Sequence, residues 1–319
     1  MFRAILTGLA IVSFAAQAQA QGYPTRPVRI VVPSPPAGGT DIIARVLAQH
    51  FAKSMGQNFF VENRPGAGNM IGIESVARAA PDGYTLLMVP STLALNSVLY
   101  KKVSYDPVRD FTPITLAATA PNVLIVHPAV PARTLAEFLA LARQQPGKLT
   151  YGTPGVGTSP HMSMELLKSM AGVDIQHIPY RGTAPALTDV IGGRITAMFA
   201  NALTAKPQVD AGSVRALAVS GPRSIAALPN VPPVADAGVP GYQAMQWYGL
   251  LAPAGTPPEI IARLNAEAVK ALQTADMREK LALDGAEPVG GPSVAFARLI
   301  ADELDKWRKV AKAANIQPQ

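Results

Sequence analysis

The sequence predicts an α/β protein of two lobes, each a mostly parallel sheet flanked by helices, and three observations lead there. Apolar runs of strand length alternate with amphipathic helical patterns along the chain, as in sheets whose parallel strands are joined by crossover helices. At 319 residues, 49% of them hydrophobic, the chain exceeds what one core usually organises and has ample side chains to build two. A strand, a glycine-rich loop and a helix start follow one another twice, once early and once near the middle.

The first 20 residues stand apart from that alternation. Arg3 gives a positive start, residues 4–16 are an apolar stretch too short to cross a bilayer comfortably, and Ala18-Gln19-Ala20 has the small-x-small pattern of a cleavage site. A membrane anchor fits poorly on length and on the polar Gln17 and Gln19. The expectation is a cleaved secretory signal, with a mature chain that starts near Gln21 and is free in a bacterial periplasm. The sequence has no cysteine, so a lipid-modified N-terminal Cys, a disulfide and a thiolate metal site are ruled out.

Val28–Val32 is an apolar run of the right length for a buried strand. Gly38, Gly39 and Thr40 then lead into Ile42, Ile43, Val46, Leu47 and Phe51 at helical spacing, with Thr40 the expected N-cap. Further strands are expected at 85–89, 123–126, 149–151, 175–178, 196–199 and 215–219. Thr134-Leu-Ala-Glu137 and Thr256-Pro-Pro-Glu259 read as capping boxes, the second with proline at the first helical position. After 149–151 the second glycine loop, Thr153-Pro-Gly-Val-Gly-Thr-Ser-Pro-His161, opens onto Met162, Leu166, Leu167 and Met170. The last helix repeats Phe296, Leu299, Ile300, Leu304, Trp307 and Val310 on one face, which assigns Trp307 to the core rather than to a ligand platform. The proline-containing stretches 111–122 and 219–233 bracket a segment with its own strand–helix alternation. One lobe, 122–218, is therefore expected to be inserted in an outer lobe made of 21–121 and 219–319, joined by two crossing segments.

Both glycine loops suit an anion. Gly38 and Gly39, like Gly155 and Gly157, leave backbone N–H groups uncovered, with the positive end of a helix dipole behind them. Ser34, Pro36, Ala37, Gly38 and Gly39 of the first loop, and Gly155, Gly157, Thr158 and Ser159 of the second, are candidate binding residues, and two such loops in separate halves suggest one ligand held between them. Asp41 is either a first-turn acid that favours the dipole or a ligand contact. His161 either faces the ligand or caps its loop. Ser91, Thr153, Tyr180 and Asn201 complete the candidate set, whereas Gly66 and Gly68, after Arg64-Pro65, read as a turn with no ligand role. Arg181 is either a charged carboxylate partner or a solvated, lobe-bracing arginine.

Other chemistries find little support. The formal charge of +7 falls to +6 once Arg3 is removed, and Lys101-Lys102 is the only basic pair before the C-terminal helix. Scattered charge of this kind does not suit nucleic acid, although it helps to gather a small anion. There is no Gly-x-Ser-x-Gly elbow and no His-Glu-x-x-His, and His50, His127, His161 and His177 show no metal-ligand spacing. Acid pairs brought together by the fold stay open, because spacing does not reveal them. No cofactor and no metal are expected.

Seven ordered motifs add a family resemblance. Tyr23-Pro-Thr-Arg-Pro-Val-Arg-Ile-Val-Val-Pro33, Pro36-Ala-Gly-Gly-Thr-Asp41, Val61-Glu-Asn-Arg-Pro-Gly-Ala-Gly68, Pro81-Asp-Gly-Tyr-Thr-Leu86, Gly155-Val-Gly-Thr-Ser-Pro-His161, Pro179-Tyr-Arg-Gly182 and Trp247-Tyr-Gly-Leu-Leu-Ala-Pro-Ala-Gly-Thr-Pro257 resemble the substrate-binding proteins of tripartite tricarboxylate transporters, also called Bug-type receptors. The resemblance covers essentially all of the mature chain. It implies a monomeric periplasmic binding protein of Venus-flytrap architecture, not an enzyme, that closes over a small organic carboxylate and presents it to integral-membrane permease subunits. The carboxylate would be held largely by backbone N–H groups of the two loops, often with ordered water. Many relatives carry an aromatic residue in place of Ser34, a His near Leu93 and an acidic residue in place of Ala200; these departures bear on which carboxylate is bound and leave the glycine loops intact. A sensory protein for the same ligand class is the second reading, and a secreted enzyme acting on small carboxylates the third.

The signal reading has a direct check. Protein recovered by osmotic shock should begin at Gln21 or a neighbour, and intact-mass measurement of soluble protein that keeps residues 1–20 would reject it.

Overall fold

The computed structural model describes residues 22–282, 285–314 and 316; the expected signal lies outside them. Strand β1 (Val28–Val32) carries a run of β-branched side chains buried on both faces, as a strand covered by helices on each side requires. β2 (Phe59–Asn63) and β3 (Thr85–Pro90) lie parallel on its two sides, reached through helices α1 (Gly39–Met55) and α2 (Met70–Ala77). Helix α3 (Thr92–Leu99) follows β3 at once.

The 16-residue strand β4 (Phe111–Val126) joins the two halves. From Phe111 to Pro121 it pairs antiparallel with β9 (Met245–Pro253), and from Asn122 to Val126 with β7 (Ala197–Asn201). Its last four residues also pair with β8 (Arg215–Val219). The second half contains α4 (Leu135–Gln144), β5 (Thr150–Thr153), α5 (Ser159–Ala171), β6 (Gln176–Pro179), α6 (Thr183–Ile191) and α7 (Ala202–Asp210), with β5 parallel to both β6 and β7. Helices α8 (Pro258–Leu272) and α9 (Ala275–Ala282), strand β10 (Glu287–Pro288) and helix α10 (Ser293–Ala313) complete the chain. The strand order is β2-β1-β3-β9-β4-β7-β5-β6.

Two α/β halves are therefore present, although their sheets are mixed in direction rather than mostly parallel. The strands separated by crossover helices are parallel. β4, β8, β9 and β10 meet their neighbours without such a crossover and run antiparallel. Residues 111–122, expected to be a connecting stretch, are most of β4. Pro113 sits at a register irregularity and Pro121 at the exchange of partners, positions where a strand tolerates the missing N–H. Ser220 fastens that exchange: its Oγ accepts the Asn122 N–H at 2.8 Å, and its own N–H donates to the Asn122 carbonyl at 2.8 Å.

Helix starts differ in detail from expectation. Thr134 caps α4 by accepting the Glu137 N–H at 3.2 Å. Gly38, not Thr40, is the N-cap of α1, and Thr40 is buried in the first turn. Thr256 caps nothing: its hydroxyl donates to the Pro253 carbonyl at 2.8 Å, while extended Pro257 fills the cap of α8. One core gathers Ile43, Leu47, Phe51, Leu250 and Leu264, and another Phe138, Leu167, Phe199 and Tyr242. Helix α10 belongs to both halves. Phe296, Ile300 and Leu304 pack with Trp247 and residues of β3, whereas Trp307, Val310 and Ala311 enter the core around α5. Trp307 is buried as expected, with its Nε1–H donating to Glu303 at 2.7 Å.

Gly249 of β9 lies against the Phe296 ring, so closely that a Cβ there would overlap it. Gly249→Ala should destabilise by about 1–3 kcal/mol through overpacking. In urea unfolding, Phe296→Leu added to Gly249→Ala should cost less than the sum of the single changes, because the two residues share one space.

Candidate ligand-binding cleft

Where β4 exchanges partners, its Ala120, Pro121 and Asn122 and the Gln246 and Tyr248 of β9 line a cavity of about 250 Å³. Five helices begin at its wall. Thr92 is the first residue of α3, Ser159 of α5 and Thr183 of α6, and Asn69 and Asn201 are the N-caps of α2 and α7. The first-turn N–H groups of a helix have no intrahelical acceptor, and the positive end of each dipole accompanies them. The lining contains no charged side chain.

Hydrogen bonds behind the wall decide which polar atoms are offered to the cavity. Asn201 Oδ1 is occupied by the Thr204 N–H at 3.0 Å, which leaves its NH2 end. Asn122 Nδ2 donates to Ser159 Oγ at 2.8 Å and to Ser163 Oγ at 3.1 Å, so the Ser159 hydroxyl proton is left for the cavity. Asn69 Nδ2 does the same to Thr92 Oγ1 at 2.9 Å. Gln246 Oε1 accepts from Ser91 at 3.1 Å. A serine or threonine hydroxyl has one proton, and an amide has separate donor and acceptor ends; with their acceptors taken, these groups present donors. Thr158 and Asn122 are exceptions: the Thr158 proton goes to the Gly155 carbonyl at 2.8 Å, and the Asn122 amide protons are taken by Ser159 and Ser163, which leaves its Oδ1 acceptor.

The second glycine loop is held from behind by a buried polar stack. Gly157, with φ of 79°, donates its N–H to His161 Nδ1 at 3.2 Å. His161 stacks on His177 with ring centroids 4.2 Å apart, and His177 stacks on Tyr151. His177 Nε2 lies 2.7 Å from the Thr153 hydroxyl, and Tyr151 donates to Glu165, which also holds Lys168 at 2.7 Å. Burial first, then the neighbouring His177 and Lys168, push the His161 imidazole down to about 3; burial likewise pushes His177 down to about 4. Both rings are neutral at neutral pH, as the acceptor role of His161 requires.

Of the residues singled out in the sequence, Thr158, Ser159 and Asn201 line the cavity. Gly155, Gly157, Thr153 and His161 stand behind them as the loop and its support. Ser91, buried, sits behind Gln246. Tyr180 turns its hydroxyl to Asp189 at 2.6 Å. Ser34, Pro36, Ala37, Gly38 and Gly39 are not in the lining; residues 35–38 are exposed. Asp41 fixes that first loop. Its carboxylate accepts the Ala37 N–H at 3.0 Å and pairs with Arg45 and Asn63, and these bonds keep it below the usual carboxylate range against the opposing effect of burial. The turn at Gly66 and Gly68, both at positive φ, delivers Asn69 to the cavity. Among the described residues no group of His, Asp and Glu side chains could hold a metal ion.

Asn69, Thr92, Asn122, Thr183 and Gln246 were not singled out in the sequence. The signal for Asn69 was its glycine turn and for Gln246 its place beside Trp247-Tyr-Gly249; Asn122 was hidden in the proline stretch.

The buried imidazoles give a pH dependence with a definite sign. Their folded-state values lie below the ordinary 6.5, so the unfolded chain binds more protons between about 3 and 6.5. Stability should be full above pH 6.5 and fall as the pH drops toward 3, at about 1.4 kcal/mol per pH unit for each proton taken up. Chemical denaturation at a series of pH values should show a shallower acid slope for His161→Gln than for wild type.

Three comparisons place this arrangement. A family profile described as "Tripartite tricarboxylate transporter family receptor" matches residues 43–316. A Pseudomonas sp. (strain P51) protein encoded in the tcbD-tcbE intergenic region is 38% identical over 97% of this chain and 93% of its own. Among solved structures, an R. palustris protein with adipate is 38% identical, with a TM-score of 0.79 over 93% of this chain and 100% of that one. MatC from Rhodopseudomonas palustris, with bound malate, is 34% identical, with a TM-score of 0.74 over 90% and 99%. With a receptor-family match across most of its length and a cleft of oriented donors between two α/β halves, this chain belongs to the tripartite tricarboxylate transporter receptor family.

Proposed function

We propose that the protein captures a small organic carboxylate in the cleft between its halves and delivers it to the membrane subunits of a tripartite transporter. The observation that carries this reading is the uncharged lining, with oriented hydroxyl and amide donors, at the starts of five helices. Helix N-termini supply N–H groups and favourable potential for an anion without a cationic side chain. Similar proteins solved with adipate and with malate support the ligand class. In the proposed mechanism the lobes are 122–218 and 21–121 with 219–319, the former carrying the α5, α6 and α7 starts and the latter Asn69, Thr92 and Gln246. Ligand bound by both favours the closed state through its higher affinity there. The exposed first loop, held by Asp41, closes on the ligand from the outer lobe. Export by the signal at 1–20 puts the receptor in the periplasm, where this delivery takes place.

A panel of small carboxylates and their matched amides tests the reading. At a concentration one hundred times its dissociation constant, a binding acid stabilises the protein by about 2.7 kcal/mol, visible as a raised Tm. The amide should give little shift, since charge-assisted N–H contacts need the anion. Equal shifts for acid and amide would reject carboxylate capture, and small-angle scattering that shows no contraction on saturation would reject closure.

A further inference from the structure

A cleft that binds through dipoles has little pull at a distance. The field of a helix terminus fades within about one turn, whereas a full charge acts over about 10 Å at 0.1 M salt. The lining has no charged side chain, so long-range attraction for an anion has to come from beside the cavity. Among the described residues, one charged side chain stands within three positions of a lining residue: Arg181, next but one before Thr183.

The backbone of Arg181 is fixed there from both sides. The Tyr180 N–H donates to the Thr153 carbonyl at 3.0 Å and the Gly182 N–H to the Pro154 carbonyl at 3.0 Å. Gly182, with φ of 114°, then turns the chain into α6. Pro154 and Thr183 both line the cavity. The Arg181 side chain is exposed and, among the described residues, has no hydrogen bond or ion pair. Acids of the surrounding elements already have cationic partners: Asp189, which holds the Tyr180 hydroxyl, pairs with Arg194, Glu165 with Lys168 and Asp41 with Arg45. With no partner Arg181 braces nothing, and outside the lining it makes no contact with a ligand in the cavity. Its charge is left over, next to an uncharged opening.

We propose that Arg181 is a steering residue: its uncompensated charge beside the cleft draws the anion in and speeds association, while the donors of the lining hold the ligand once it has arrived. The proposal rests on the carboxylate reading. It divides the work between two kinds of group, since charges outside a contact act chiefly on association and buried polar contacts on dissociation. A guanidinium that stays in water also avoids the desolvation a charged lining residue would suffer.

Stopped-flow fluorescence with adipate and malate separates the two rates in wild type, Arg181→Gln, Arg181→Glu and, as a control for the same loss of charge, Arg133→Gln. Arg133 is exposed and its side chain is likewise unpaired; it adjoins Ala132, whose carbonyl holds Arg215 at the end of β4 remote from the cleft. At low salt Arg181→Gln should slow association about threefold and Arg181→Glu about tenfold, as Coulomb's law gives for a dianion about 10 Å from one unit charge and from two with slight screening. Dissociation should change by less than about twofold, high salt should erase the differences, and Arg133→Gln should change association far less. Unchanged association in both Arg181 variants, an effect confined to dissociation, or an equal loss in Arg133→Gln would overturn the proposal. If wild type binds neither acid, the carboxylate reading fails for these probes, and the field is measured without ligand. The backbone amide protons of Ser159 and Thr183 should then be relaxed more by an anionic nitroxide than by a cationic one, and this ratio should fall in Arg181→Gln; the same ratio in both proteins would overturn the steering role.

Discussion

The exchange of partners along β4 is the constraint on which the rest depends. A proline has no N–H to give to a ladder, and at Pro121 the pairing with β9 ends and that with β7 begins. Ser220 keeps the chain in register there by bonding both the N–H and the carbonyl of Asn122. The two halves are thus continuous through one strand, and helix α10 packs into the cores of both. The cavity lies at the exchange itself, with its floor made by Ala120, Pro121 and Asn122. Asn122 both closes the ladder through its backbone and aims Ser159 through its side chain.

An uncharged cleft is a sound way to bind an anion reversibly. A buried arginine or lysine would have to lose its own hydration before ligand arrived, at considerable cost when unpaired. Helix N–H groups and oriented amides carry smaller charges that are already in place. Ordering is done in advance by the stack of His161, His177 and Tyr151 behind the second loop and by the bonds behind Thr92 and Asn201, so less has to be frozen on binding. The charged groups nearby are spent on scaffolding: Asp41 ties the first loop to Arg45 and Asn63, and Glu165 with Lys168 supports Tyr151.

Periodicity carried most of the architecture. Strands such as β1 and β8 and the amphipathic α10 were legible because burial on one face or both leaves a pattern in the sequence. β4 was only half legible, since prolines that read as punctuation are accommodated at a register irregularity and at the partner exchange. β2, with mixed exposure, and β9, whose apolar run contains Gly249, were also missed. Within the site, the second glycine loop was legible because positive φ and a helix start restrict residue type; Gly155 and Gly157 both have positive φ. Gln246, Asn122 and Thr183 were not, because their role comes from contacts between residues far apart in sequence. His161 shows the intermediate case: its motif marked it, but only the fold shows its ring bonded to the Gly157 N–H.

Helix α10 gives the molecule an axle. Its early residues are packed with Trp247 and its late ones with the core around α5, so a swing of one half against the other must turn about this rod or bend it. A single rod embedded in two cores makes their packing interdependent, so that a substitution at Leu304 or Trp307 is felt on both sides of the molecule, and a group attached to α10 is borne by both halves at once.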